Sequence, residues 1–421
     1  MNTAAILSSA LAGNTVIETG DERGEFAGLL LAALGARVIR LEGRQGSNSR
    51  RLGPYTTPDP DAAHSLCFSR YNLGKLSLSL ESGHAAAREA LKRLAQKADV
   101  ILDSGEAADV AQRLELYREA RASNPRLIVC TLTPFGLEGP YRDLKMTNLT
   151  QLAMGGVMDS CGYDPGPGGV YDTPPIAPAM WQAYHIACEY TVIAITAALN
   201  FRELTGEGDL IDLSIHEAVS TCTEVALPTY IYNHALVHRQ TGRHAAESRS
   251  RPWLRRTKDG RYVKAFMFWG GRERRVIGEM LNEAGVAHDL DSAEYKEMAE
   301  HSPSKAGAHL SEMIDRLCAA LTAEEVFHRS QVKGLLWASV RFPEENISDP
   351  HFIARGTFQA IAHPEIGRDL LYPVSVATDG HNRATAFERG APRLGEHNRE
   401  VLAEFDFSDA EIRALSSSGA L

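Results

Sequence analysis

The sequence predicts an α/β protein with a large Rossmann-like, doubly wound domain and a smaller α+β domain. Three observations carry this. The first half alternates short β-branched runs with helical patterns, a rhythm that implies parallel strands joined by helices covering both faces of a sheet. The chain has 421 residues, whereas single cores stop growing at roughly 250–300 residues. A shift in composition near residue 239 opens an arginine-rich stretch of different character.

Taken in order, Thr15 to Glu18 reads as a strand and Glu25 to Leu34 as a helix, followed by a strand over Val38 to Glu42. Leu76 to Leu80 is the next strand and His84 to Lys97 the next helix, with further strands at Val100 to Asp103 and Leu127 to Thr131. Pro178 to Leu204 is apolar and rich in helix formers, and Gly206 and Gly208 follow where a helix C-terminus favours glycine, so one long buried helix is expected. Asp209 to Ile215 alternates as a strand does. Residues 1–225 are assigned to the large domain, 226–330 to the small domain, and 331–421 to a segment returning to the large domain. Within the small domain a Lys258-Asp-Gly-Arg261 turn joins two strands of a hairpin, and helical patterns run from Ser292 to Arg329. The segments FQAIAHP and LLYPVSV read as strands ahead of a final short helix.

Composition excludes several function classes. Net charge is −10, with 44 Lys and Arg scattered among 54 Asp and Glu, so no basic face offers itself to nucleic acid. No run approaches the roughly 18 apolar residues of a membrane span, and the N-terminus lacks the basic start of a signal peptide, so a cytoplasmic protein is expected. The six cysteines (Cys67, Cys130, Cys161, Cys188, Cys222 and Cys318) are widely spaced, without CxxC pairs or histidines at metal-ligand spacing, and read as buried small apolar side chains. The first strand–helix junction, Glu18-Thr-Gly-Asp-Glu-Arg-Gly24, lacks GxGxxG spacing and carries Asp21 and Glu22, which repel a pyrophosphate. GxxxxGK[ST] and GxSxG are absent.

Spacing alone therefore yields an α/β protein without a catalytic constellation. Several blocks together resemble the CaiB/BaiF, or family III, coenzyme A transferases. They are Gly24 to Gly43 with Glu42 ending a strand, Asn72-Leu-Gly-Lys75-Leu-Ser-Leu-Ser-Leu80, Ala98-Asp-Val-Ile-Leu-Asp103, Leu127 to Tyr141, Ala197-Ala-Leu-x-x-Arg202-x-x-Thr-Gly206-x-Gly208, and Ala391-Pro-x-Leu-Gly395-Glu-His397. The resemblance spans nearly the whole chain. It implies chains interlocked as two threaded rings, with CoA moved between carboxylic acids through an aspartate that forms an anhydride and then a thioester.

The Q-A-D of the family pattern P-x-x-x-x-x-x-Q-A-D aligns with Gln182-Ala183-Tyr184, so Tyr184 stands where the aspartate is expected and no residue of this chain is assigned as the nucleophile. The nearest acids, Asp172 and Glu189, lie twelve residues before and five after. By the same resemblance Leu80 approaches the adenine, Lys145 matches a basic residue near CoA, Asp103 and Ser104 replace an Asn-Phe pair, and Gly83 stands where a lysine can occur. Trp269-Gly270-Gly271-Arg272 is a remnant of a glycine-rich loop. The resemblance implies a non-catalytic subunit paired with a homologous catalytic subunit. CoA thioester is a substrate held mainly by that partner, no cofactor is bound permanently, and the acceptor is a dicarboxylate such as benzylsuccinate. A self-sufficient homodimeric transferase or CoA-ester racemase with a displaced acid, and a structural or regulatory pseudoenzyme, stay open.

Overall fold

The computed structural model describes residues 9–57, 64–81, 83–223, 225–266, 271–374 and 387–421, the side chain of Glu365 excepted. In chain order come β1 (Thr15–Gly20), α1 (Glu25–Ala33), β2 (Arg37–Glu42), α2 (Leu66–Tyr71), β3 (Leu76–Ser79), α3 (Ala85–Ala95) and β4 (Val100–Ser104). Next are α4 (Ala107–Ser123), β5 (Ile128–Thr133), α5 (Asn148–Met154), α6 (Gln182–Thr205), β6 (Leu210–Ser214), α7 (Ile215–Ser220) and α8 (Ala226–Pro228). Then follow β7 (Leu254–Arg256), β8 (Tyr262–Ala265), α9 (Gly271–Glu283), α10 (Ala293–His301), α11 (Pro303–Ala320), α12 (Ala323–Val332) and β9 (Trp337–Ser339). The chain closes with α13 (Pro350–Ala354), β10 (Phe358–His363), β11 (Arg368–Pro373), α14 (Asn398–Glu404) and α15 (Asp409–Ser418).

Two compact units emerge. The first holds Met1–Val157, Pro178–Cys222 and Ile347–Leu421; the second holds Met158–Ala177 and Thr223–Asn346. Against the boundaries expected at 226 and 331, the second unit begins at Thr223, ends at Asn346 and also takes in a segment preceding the long helix.

The first unit is built on a six-stranded sheet in the order β3-β2-β1-β4-β5-β6, parallel throughout. This is a doubly wound order. β2 to β5 are buried along most of their length, as strands covered on both faces are, while the edge strand β6 is largely half-buried. The long helix begins at Gln182 rather than Pro178, because Met180 adopts a left-handed conformation (φ 64°) that a helix does not accommodate. It ends on Gly206 in the αL conformation (φ 81°), as expected. Near that end Arg202 donates to Asp99 at 2.9 Å and to Asn14 at 3.0 Å, so the arginine of that sequence block is a structural clamp.

Four fully buried charges form one network inside this unit. Arg40 on β2 donates Nη1 to Glu18 Oε1 at 2.9 Å, and Nη2 to Glu25 Oε1 at 3.2 Å and the Gly20 carbonyl at 2.9 Å. Lys75 places Nζ 2.7 Å from Glu18 Oε2, 2.9 Å from the Glu25 carbonyl and 3.0 Å from Asn72 Oδ1, which occupies all three of its donors. Asn72 in turn donates to Glu25 Oε2 at 3.0 Å. Buried ions are tolerated only when paired and hydrogen-bonded, and here two carboxylates face two cations. The Asn72-x-x-Lys75 block thus binds β1, α1 and β3 together.

The C-terminal block has a second structural role. β3 is an edge strand, and unpaired edges invite association. The His397 amide donates to the Ser77 carbonyl (3.0 Å), Ser77 N–H to His397 Nδ1 (3.2 Å), Gly395 N–H to Ser77 Oγ (3.0 Å), and Ser79 N–H to Asn398 Oδ1 (2.8 Å). Ala391 to His397 therefore leads into a cap over the sheet edge.

In the second unit β7, β8 and β9 form an antiparallel sheet, with the expected hairpin turning at Gly260 (φ 78°). Its core joins this sheet to helices through Val263, Ile277, Leu281, Ile314, Leu317 and Trp337. Phe268, Trp269 and Gly270 lie outside the described residues, as do the last two residues of LLYPVSV. Cys130, Cys188 and Cys318 are buried as expected, Cys67 and Cys161 are half-buried, and Cys222 is exposed, against expectation. Among the described residues no cluster of metal-ligating side chains occurs, and no helix is long and apolar enough to cross a membrane.

Substituting Lys75→Met strands Glu18 in the core, so it is expected to lower unfolding free energy by about 3–5 kcal/mol, with the Glu18→Gln/Lys75→Met double variant recovering part of that loss. Urea unfolding measures both. A Lys75→Met midpoint within error of the parent would mean that the ion network contributes little.

Candidate active-site cleft

In doubly wound sheets the carboxyl ends of the strands near the reversal of strand order form a ready crevice. Here the order reverses between β1 and β4. A cleft of about 490 Å³ opens at the ends of β1 (Gly20, Asp21), β2 (Glu42, Gly43) and β3 (Leu80). Helices α3 and α4 wall it with Ala87, Arg88, Leu91, Arg113 and Leu116. It combines apolar surface with two guanidinium groups.

The first turn of the cleft depends on Gly20. Its φ is 100°, and a Cβ there would fall 1.7 Å from the Ser104 carbonyl oxygen, so no other residue fits. Immediately after it, Asp21 Oδ2 lies 3.1 Å from Arg23 Nη1, and Asp21 Oδ1 accepts from the Arg23 amide at 3.1 Å. Burial pushes the Asp21 carboxyl up to about 6 despite Arg23. Glu42 behaves oppositely. Burial alone would raise it, but Arg50 grips it with two bonds of 2.7 Å, and with Arg40 and the Ser47 amide brings it down to about 2.

Of the residues singled out from the sequence, Leu80 and Gly83 line this cleft. Asp103 does not; it is fully buried, holding Arg113 at 2.7 and 2.8 Å and accepting from the Tyr117 hydroxyl at 2.8 Å. What β4 presents to the cleft is thus Arg113, with the Asp103 charge already neutralised beneath it. A polyphosphate at this end of the cleft would meet the Arg113 guanidinium rather than the Asp103 carboxylate. Ser104 is also fully buried and donates to the Asp21 carbonyl at 3.0 Å. Lys145 is exposed and is not part of the cleft wall.

Tyr184 occupies the first turn of α6 and is 6% exposed. Its ring lies 5.9 Å from that of Trp181, which stacks on Tyr71 at 5.2 Å. His185 stacks on Phe26 at 4.2 Å, and its Nε2 is 2.7 Å from the Tyr71 hydroxyl. Burial, and then Arg70, holds the His185 imidazole below its ordinary value, so it is neutral. Burial raises the Tyr184 phenol even though the Arg23 guanidinium is beside it. Arg23 is itself held by Asp21, by Glu106 at 2.5 Å and by the Met146 carbonyl at 3.3 Å. Glu189, further along the same helix, is exposed, whereas Tyr184 is buried. Asp172 belongs to the second unit. Cys188, one turn beyond Tyr184, is buried and donates to the Arg23 carbonyl at 3.0 Å; burial pushes its thiol up to about 12, which makes it a poor nucleophile.

The sequence profile describing CoA-transferase family III matches residues 11–398. The chain belongs to that family. Similar family III proteins include the succinyl-CoA:(R)-benzylsuccinate CoA-transferase subunit BbsE of Thauera aromatica, 26% identical over 96% of this chain and 97% of the relative. The succinyl-CoA–L-malate CoA-transferase beta subunit of Chloroflexus aurantiacus is 27% identical over 97% of both chains. The formyl-CoA:oxalate CoA-transferase of Streptomyces coelicolor is 27% identical over 98% of this chain and 100% of its own. Among solved structures, a CaiB/BaiF family protein from Brucella suis superposes with a TM-score of 0.76 at 22% identity, covering 94% of this chain and 99% of that one. The fold and the transferase family are thereby fixed, and CoA thioesters are the substrates of the family.

Sequence reasoning missed the arginines that shape this family III cleft. Arg113 follows Asp103 by ten residues on α4, and Arg50 follows Glu42 by eight; neither belongs to a motif. The only signal in the sequence was a conspicuous acid at the end of each strand.

The Glu42 shift predicts an acid-dependent stability. Its folded pKa lies below the unfolded value, so the contribution, about 3 kcal/mol, is complete above about 4.5 and is lost as pH falls toward 2. Asp21 works in the opposite sense, favouring the folded state below about 4 and losing that advantage as pH rises through 6. In urea titrations between pH 6 and pH 3, the stability gap between the parent and Glu42→Gln is expected to narrow with acid. A gap independent of pH would show that Glu42 is not held as an anion.

Proposed function

We propose that this chain is the non-catalytic subunit of a heteromeric family III CoA-transferase moving CoA from succinyl-CoA to a dicarboxylate, with benzylsuccinate as the acceptor to test first. The observation carrying the proposal is Tyr184, at the position where the family pattern places its aspartate. A phenol cannot form the mixed anhydride, and no carboxylate of α6 substitutes for it, since Glu189 is exposed on a different face from buried Tyr184.

Relatives named as subunits, BbsE and the malate transferase alpha and beta subunits, support an assembly of unlike chains. Exposed apolar side chains support a covered surface. On α6 these are Ile193, Phe201 and Leu204; in the second unit they include Leu227, Tyr230 and Tyr232. Such groups in number mark association surfaces rather than free solvent faces. In this reading a homologous partner supplies the aspartate that carries both covalent intermediates, and this chain completes the assembly. Arg88 and Arg113 leave the cleft with cationic groups suited to a CoA ester, so CoA affinity is a property to measure separately from transfer.

The decisive assay is CoA transfer from succinyl-CoA to benzylsuccinate and to aliphatic dicarboxylates, by this chain alone and co-purified with a homologous subunit that carries the aspartate. Activity is expected only from the mixture. The Tyr184→Asp variant alone is expected to stay inactive, because the new carboxylate would sit beside Trp181 in a desolvated site where Arg23 is already engaged by Asp21 and Glu106. Transfer by the unmodified chain alone would overturn the proposal and assign the chemistry to another carboxylate of this chain, with Asp21 in the cleft the first to substitute.

A further inference from the structure

The second unit contains a hollow of its own, about 190 Å³ in volume, walled by two loops that contribute Pro165, Gly169 and Tyr171 from one side and His238, Arg239 and Arg249 from the other. That is smaller than the roughly 300–1,000 Å³ of pockets that take drug-sized ligands, and suits a compact one. No acid is among its wall residues.

Arg239 is 8% exposed and fixed in place. Its guanidinium lies 3.8 Å from the centre of the Tyr171 ring, and Nη2 donates to the Thr173 carbonyl at 2.8 Å. The Tyr171 hydroxyl donates back to the Arg239 carbonyl at 3.0 Å. Gly162 makes room for this packing, since a Cβ there would fall 2.7 Å from Arg239 Cδ. Nη1 keeps its hydrogen-bonding capacity, because the nearest carboxylate, the 81% exposed Asp159, is 3.6 Å away, too far for a hydrogen bond.

Arg249 is 61% exposed, with Nε 3.5 Å from Asp164, a carboxylate that also holds Arg243. The loop carrying both arginines is closed by a backbone bridge between His238 and Ala246 (2.8 and 3.1 Å) and by Gln240, which accepts from Ser250 N–H at 2.7 Å. A pre-positioned guanidinium and an exposed one lining the same hollow, with His238, form the donor set that recognises carboxylates.

We propose that this hollow is a binding site for a short-chain dicarboxylate, held by Arg239 and Arg249. The site belongs wholly to the second unit and does not depend on how the position of Tyr184 functions. Inorganic phosphate offers similar oxyanion chemistry, so the test separates the two.

Isothermal titration of the full chain with succinate, acetate and phosphate provides that test. Saturable succinate binding is expected, with acetate much weaker, and succinate affinity falling about tenfold or more in Arg249→Ala, the order expected when a charge-assisted hydrogen bond is lost. Arg239→Lys, which keeps the charge but not the planar fork, is expected to weaken binding similarly, while Arg316→Ala, an exposed helical control, leaves it unchanged. Arg249 is exposed, so its variant keeps the test valid even where Arg239→Lys fails to fold. Absence of saturable succinate binding, or full affinity in Arg249→Ala, would overturn the site. Phosphate binding more tightly than succinate, and competing with it, would overturn the dicarboxylate assignment.

Discussion

The arrangement of the first unit rests on the buried square of Glu18, Arg40, Glu25 and Lys75. Each of these charges would be prohibitively costly alone, and each is satisfied only if β1, β2, α1 and the turn before β3 hold one relative position. The constraint reaches further through Gly28. A Cβ on that residue would sit 1.7 Å from Glu18 Oε2 and 2.9 Å from Lys75 Nζ, so α1 can lie against the pair only through a bare backbone. With α1 held that close, the loop between β1 and α1 is short and fixed, and Asp21 and Arg23 are placed with it. The cleft, whose Gly20 and Ser47 accept from Arg40, and the surroundings of Tyr184 both follow from this ion network.

The sequence revealed the fold more readily than the site, for a physical reason. Strand and helix alternation is a local, repeated signal, and it located β1 to β6 and the long helix to within a few residues. Tertiary choices were less visible. The start of α6 was displaced by a single left-handed residue, Met180, which no propensity announces. The segment Met158–Ala177 reads as an approach to that helix, yet its contacts lie with the second unit, and contacts across such sequence distances leave no periodic trace.

The site residues divide in the same way. Leu80 and Gly83 are singled out by the family resemblance, and they line the cleft. Asp103 and Ser104 were marked for the same reason, but alternation along β4 does not reveal that Arg113 and Tyr117, about two and three helical turns into α4, turn back to cover the aspartate. Several blocks that carry the family resemblance also prove to be structural supports. Asn72 and Lys75 hold buried charge, Arg202 clamps Asp99, and the terminal Gly395 and His397 pair the edge of β3. A motif shared across a transferase family need not be where transfer occurs.

In the proposed reading, with Tyr184 in place of the family's aspartate, the same division separates a dispensable nucleophile from a retained architecture. A carboxylate at position 184 in the first turn of α6 would sit beside Trp181 in a largely desolvated site, with only Arg23 and the helix N-terminus to favour its charge. Arg23 is already engaged by Asp21 and Glu106. An acid there would therefore be held against the preference of its surroundings, as functional groups commonly are, and an aromatic residue relieves that cost. Removing Lys75 or Asn72 gives no such relief, since each leaves a buried partner unsatisfied. Within an assembly where another chain supplies the chemistry, the nucleophile is thus the part most readily given up, and its supporting framework the part that must stay.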